Sequence, residues 1–117
     1  MQERGQNMAI RSEERGGELL FYVSGEIDHH NSVFLREEMD AKIASSTASR
    51  VVLDLSETDF CDSSALGLIL GRTREASVCG KSLLVQRPSA RVRKILDLCG
   101  AGKYLQFTER REDETHT

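Results

Sequence analysis

The sequence predicts one α/β domain built on a mixed, mostly parallel sheet. Three observations carry that prediction. Short apolar runs alternate with segments whose apolar residues recur every three or four positions, which is the pattern of strand–helix–strand units. The connectors are short, so successive strands lie parallel and are joined by right-handed crossovers. At 117 residues the chain suits a single hydrophobic core and not two.

Residues 1–7 are polar and without periodicity, and are expected to form a flexible tail. Ala9 to Glu14 has the look of a short edge strand closed by a turn at Arg15-Gly16-Gly17. The run Leu19-Leu20-Phe21-Tyr22-Val23, within Glu18 to Ser24, is a second strand, broken by Gly25. Together these two form an N-terminal β-hairpin, the antiparallel part of the sheet. Asp28 to about Ser46 predicts a helix, with Leu35, Met39 and Ile43 on one stripe and Asp28 or Asn31 as its cap. Arg50 to Leu55 is a β-branched strand, and a loop from Ser56 to Asp62 follows it.

The next stretch, Phe60-Cys-Asp-Ser-Ser-Ala-Leu-Gly-Leu-Ile-Leu-Gly-Arg72, turns from strand to helix at Asp62, Ser63 and Ser64. These residue types cap helix N-termini by accepting bonds from free backbone N–H groups. A hydroxyl there lies beside positive partial charge, a setting that tolerates a carboxylate or a phosphate. The helix runs to about Ser77, with Leu66, Ile69, Leu70 and Thr73 as its inner stripe. Lys81 to Gln86 is the next strand, and Pro88 and Ser89 open a third helix. Its apolar face is Val92, Ile95, Leu96 and Cys99, and Gly100 and Gly102 stop it. Tyr104 to Phe107 is a last short strand, and the charged residues 108–117 are a second flexible tail. The domain is thus expected to span 8–107.

Net charge of −3, with no concentration of Lys and Arg, argues against nucleic acid as a partner. The apolar runs are far shorter than the roughly 20 residues that cross a bilayer, so no membrane partner is expected. No export leader is recognised at the N-terminus. Cys61, Cys79 and Cys99 are an odd, widely spaced set, which favours free, mostly buried thiols in a reducing compartment, the cytoplasm by default.

Asp28-His29-His30 invites a metal, but adjacent residues of a helix or strand point apart and no further ligand stands at metal spacing. No metal site and no cofactor is expected. A serine hydrolase finds little support, because Ser63 lacks the G-x-S-x-G elbow. There is no G-x-x-x-x-G-K-[ST] phosphate loop either. Gly67 and Gly71 share one helix face. They serve either close helix packing or, for Gly67, the approach of a partner's backbone to Ser63. Leu66 is either a core residue or a partner contact, the core role being slightly favoured.

Two segments, Gly25-Glu-Ile-Asp-His-His30 and Asp62-Ser-Ser-Ala-Leu-Gly67 with its Ile69-Leu-Gly-Arg72 continuation, resemble the bacterial STAS family, in particular its anti-sigma-factor antagonists. The likeness runs from about Met8 to Phe107. It implies a STAS-like domain with three main helices packed largely on one face of the sheet. It also implies a non-catalytic switch protein with two partners, an anti-sigma factor that is a serine kinase and a phosphoprotein phosphatase. In that scheme Ser63 is the phosphorylated residue, and Asp28, His29, Asp62, Ser64, Leu66 and Gly67 belong to the partner-binding face. The unphosphorylated form binds the kinase and frees the sigma factor; phosphorylation ends binding. Two departures stand out: Ala65 replaces the glycine usual after the serines, and the C-terminal tail is charged where the family tends to have an apolar helix. The alternatives are a STAS module in a stress or phospho-switch complex without a sigma factor, and a small serine esterase.

Overall fold

The computed structural model describes residues 7–108, and residues 2–4 as backbone alone. In chain order the elements are β1 (Gln2–Arg4), β2 (Met8–Arg15), β3 (Glu18–Ile27), α1 (Ser32–Ser45), β4 (Arg50–Asp54), β5 (Thr58–Cys61), α2 (Ser64–Val78), β6 (Ser82–Gln86), α3 (Ala90–Leu98) and β7 (Phe107–Thr108). A short 3-10 turn, Ala101–Lys103, precedes the last strand. The sheet order is β1-β2-β3-β4-β6-β7, with β5 alongside β3. The β1–β2 and β2–β3 pairs are antiparallel and the remaining pairs are parallel.

One face of the sheet carries the core. Leu19, Phe21 and Val23 of β3, Val51 and Leu53 of β4, and Leu83 and Val85 of β6 alternate onto it. Leu35, Met39 and Ile43 of α1, Ile69 of α2, and Val92 and Leu96 of α3 join them in one buried cluster. Each fully buried aliphatic side chain stabilises by about 1.5–3 kcal/mol relative to exposure. The helices therefore gather on this face, as the family resemblance implied. Among the described residues, the opposite face holds a small buried cluster of Leu20, Tyr22 and Val52. There the Arg11 guanidinium lies 3.9 Å above the Tyr22 ring, and Tyr22 donates its hydroxyl proton to Glu13.

Several expectations are corrected. Gln2–Arg4 lies in the segment expected to be a flexible tail, yet it pairs with Met8–Ile10, so β2 is not an edge strand. Gly25 does not break β3. It takes φ +88° at a register shift against β5, and a Cβ there would fall on the carbonyl oxygen of Asn7. The loop after β4 contains β5, which picks up pairing with β3 where β4 leaves off.

Helix α1 starts at Ser32, and residues 28–31 form a turn ahead of it. The buried arc of α2 is Ala65, Leu68, Ile69, Arg72 and Ala76, while Leu66, Leu70 and Thr73 are half-buried. The difference arises because α2 packs against α1 as well as the sheet. Arg72 is only 7% exposed and pairs with Asp40 of α1 at 2.6 Å. Tyr104 is exposed and follows the 3-10 turn, so the last strand is shorter and later than expected. Of the three free thiols only Cys61 is buried; Cys99 is half-buried and Cys79 exposed. The second tail was expected from residue 108, but Thr108 belongs to β7; the rest of it, from Glu109 onward, lies outside the described residues.

Candidate functional site

Strands β3 and β5 run parallel and finish side by side, with Ile27 opposite Cys61. Both residues are about 1% exposed and anchor the strand ends in the core. The Asp62 N–H donates to the Ile27 carbonyl at 3.0 Å. Asp28 and Asp62 therefore leave the sheet at neighbouring positions, and each leads into a helix. This is the carboxyl end of parallel strands, where open α/β sheets place their binding surfaces.

At the second of these turns Asp62 is the cap. Its Oδ1 accepts from the Ser64 N–H at 2.8 Å and from the Ser64 hydroxyl, and its carbonyl accepts from the Ala65 N–H. Partial burial pushes the Asp62 carboxyl up. The bonds from the Ser64 hydroxyl and N–H and the His29 backbone, with the charge of the His29 ring, outweigh burial and hold it below the usual carboxylate value. The two serines, both candidate caps from their residue type, are thereby separated. Ser64 is half-buried with its hydroxyl committed to Asp62. Ser63 is exposed, and its side chain makes no cap bond.

The first turn is built by two side chains that hold each other's backbone. Asp28 Oδ1 accepts from the His30 and Asn31 N–H groups at 2.9 and 3.0 Å. Asn31 Oδ1 accepts from the Asp28 N–H at 3.0 Å, and its Nδ2 donates to the Glu26 carbonyl at 2.8 Å. Asn31 is thus a buried clasp of the loop and not a side-chain cap of α1. Its residue type signalled a cap; only the returning strand carbonyl reveals the clasp. Because residues 28–31 form a turn and not a helix, the His29 and His30 rings come together at 3.9 Å instead of pointing apart. His29 Nδ1 lies 4.0 Å from Asp62 Oδ2 and links the two turns.

Asp28, His29, Asp62, Ser63 and Ser64 thus share one corner, with Leu66 and Gly67 following in the first turn of α2. Leu66 is half-buried: one side packs against the core and the rest stays open to the surface. Gly67 is exposed, and a Cβ added at Gly67 or Gly71 would meet nothing within 4 Å. Close packing does not account for either glycine, although each costs about 1 kcal/mol of helix propensity relative to Ala. Beneath the corner, Cys61 is buried in the core. Burial, with Cys99 and Asp62 nearby, pushes its thiol up to about 11.

The match to the STAS domain model covers residues 9–114. The chain belongs to the STAS domain family. It is 36% identical over 99 residues to an anti-sigma F factor antagonist of Paenibacillus polymyxa, spanning 85% of each chain. Its fold matches the anti-sigma factor antagonist SpoIIAA in its unphosphorylated form with a TM-score of 0.74 and 27% identity, over 92% of this chain and 93% of that one. The phosphorylated form of SpoIIAA, described as a Bacillus cell fate determinant, matches with a TM-score of 0.66 and 26% identity, over 92% and 96% of the two chains. In this STAS domain, among the described residues, no helix is long and apolar enough to cross a membrane.

Proposed function

We propose that this STAS domain is an anti-sigma-factor antagonist switched by phosphorylation of Ser63. The observation that carries the reading is the exposed Ser63 hydroxyl at the start of α2, left without a cap bond because Asp62 caps the helix in its place. The relatives that share the fold are antagonists of anti-sigma factors, which supports the choice of partner. Unphosphorylated, the chain binds an anti-sigma factor that is also a serine kinase and thereby frees the sigma factor. Asp28, His29, Asp62, Ser64, Leu66 and Gly67 form the face around Ser63 that meets it.

In the transfer step Ser63 Oγ attacks the γ-phosphorus of the kinase's ATP. The new O–P bond replaces the bridging bond to ADP, and the hydroxyl proton passes to a base of the kinase. The chain is substrate and binder; it supplies no catalytic group. The phosphate brings about −1.5 to −2 charges beside Asp62. A partner surface fitted to a neutral hydroxyl rejects it by repulsion and desolvation. A phosphoprotein phosphatase restores the hydroxyl, and the cycle runs in the cytoplasm.

Incubation with the anti-sigma factor and Mg-ATP, followed by mass mapping, tests the reading. Phosphate on Ser63 together with loss of the complex is the expected result. A complex that forms equally well with the phosphorylated chain would overturn the switch.

A further inference from the structure

Helices α1 and α2 enclose a groove of about 410 Å³, lined by Val33 and Arg36 from α1 and by Ser64, Gly67, Gly71 and Arg72 from α2. Its floor is bare. Nothing stands within 4 Å of a Cβ added at either glycine, so alanine would fit and would improve the helix. Val33 at its edge is 49% exposed.

The groove's own lining contains no acidic residue. Both helices begin at its Ser63 end, and neither has an acidic residue in its first turn. Asp28 and Asp62, just ahead of them, are taken up by backbone N–H groups. Arg36 is exposed and has no hydrogen bond or ion pair among the described residues. Arg72 is 7% exposed and has Asp40 as its counter-charge, but its buried Nε makes no hydrogen bond. Its Nε lies 2.6 Å from Asp40 Oδ1 in an alignment that forms no hydrogen bond. A buried guanidinium whose Nε makes no hydrogen bond, an unpaired arginine and two helix N-termini together favour a carboxylate.

We propose that this groove receives an acidic side chain of the anti-sigma factor, held by Arg36 and the outer edge of Arg72, with Gly67 and Gly71 leaving room for the partner's backbone. The inference rests on the function proposed above and adds the chemistry of the partner's contact. It places the docking element beside, and not on, the hydroxyl that the kinase modifies.

The test is calorimetric titration of the full chain with the anti-sigma F factor of its own source organism, at two salt concentrations, alongside thermal melts. Arg36→Glu should melt like the wild type and weaken binding about tenfold or more, with much of the salt dependence gone. Gly71→Met should melt no lower than the wild type, because its Cβ meets nothing within 4 Å and the flexible chain beyond it enters the open groove, and it should also weaken binding. Wild-type binding with unchanged affinity in both Arg36→Glu and Gly71→Met overturns the groove alone and leaves the proposed function standing. Weakening by Gly71→Met but not by Arg36→Glu overturns the carboxylate. Absence of binding by the wild-type chain overturns the proposed function and the groove with it.

Discussion

Ser63 and Ser64 carry the same functional group, and the Asp62 carboxylate distinguishes them. Because Asp62 and not Ser63 caps α2, Ser63→Ala should change stability by no more than about 0.5 kcal/mol, as an ordinary surface substitution does. Ser64→Ala removes a hydroxyl that is already bonded and should cost about 0.5–1.5 kcal/mol. Denaturant melts measure both, and mass mapping should find phosphate on Ser63 in Ser64→Ala and none in Ser63→Ala. Phosphate on Ser64 in the latter would reverse the assignment. Asp28 poses a separate question, since its Oδ1 already serves the turn. Asp28→Asn keeps that acceptor and deletes the charge. It should leave the melting temperature nearly unchanged while weakening the complex and slowing phosphorylation. A titration that overlays the wild-type curve would reduce Asp28 to a turn residue.

Single elements also carry polar groups that had to be reconciled with burial. At the end of β4, Asp54 is 1% exposed. Burial pushes its carboxyl up, but bonds from Ser56, Gln86 and Arg87 win and hold it below the usual carboxylate value. The Arg87 guanidinium lies 2.8 Å away. A carboxyl that titrates lower in the folded chain than in the unfolded one stabilises the fold above its unfolded pKa. That contribution is lost as the pH falls through the lower, native value. Urea midpoints should therefore drop as the pH is taken below about 4, and Asp54→Asn should flatten that limb of the profile. A limb of equal steepness in the variant would move the acid sensitivity elsewhere. Strand β5 carries a second buried group, the Cys61 thiol, pushed up to about 11 and packed in the core. Alkylation of the native chain at neutral pH should mark exposed Cys79 first and reach Cys61 only after denaturation, as peptide mapping would show.

At the scale of the whole molecule, the proposed switch needs no second fold. Ser63 is exposed on a corner whose strand ends, Ile27 and Cys61, are locked in the core, so a new charge there has little to rearrange. Hydrogen exchange of the phosphorylated chain should differ from that of the unmodified chain only around residues 28–31 and 62–67. Protection lost across the central strands β3, β4 and β6 would show that the phosphate acts by unfolding and not by charge.

The local pattern of the sequence determined the α/β class, the strand–helix alternation and the identity of the corner. Apolar periodicity over Leu35, Met39 and Ile43, and the strand cores around Phe21, Val52 and Leu84, are properties of consecutive residues and need no partner to be read. The Asp62-Ser63-Ser64 junction was legible for the same reason, since capping residue types cluster at a strand-to-helix turn. Whether Asp62 or a serine caps depends on rotamers that composition does not encode, and tertiary structure gave the role to Asp62. The clasp of Asn31 on the Glu26 carbonyl, the strand β5 and the bulge at Gly25 all depend on what lies across a strand pair. The burial of Arg72 was hidden for the same physical reason. A helix pattern shows which residues share a face, but α1, contributed from about 30 positions upstream, decided that this face would be covered and supplied Asp40 as the counter-charge.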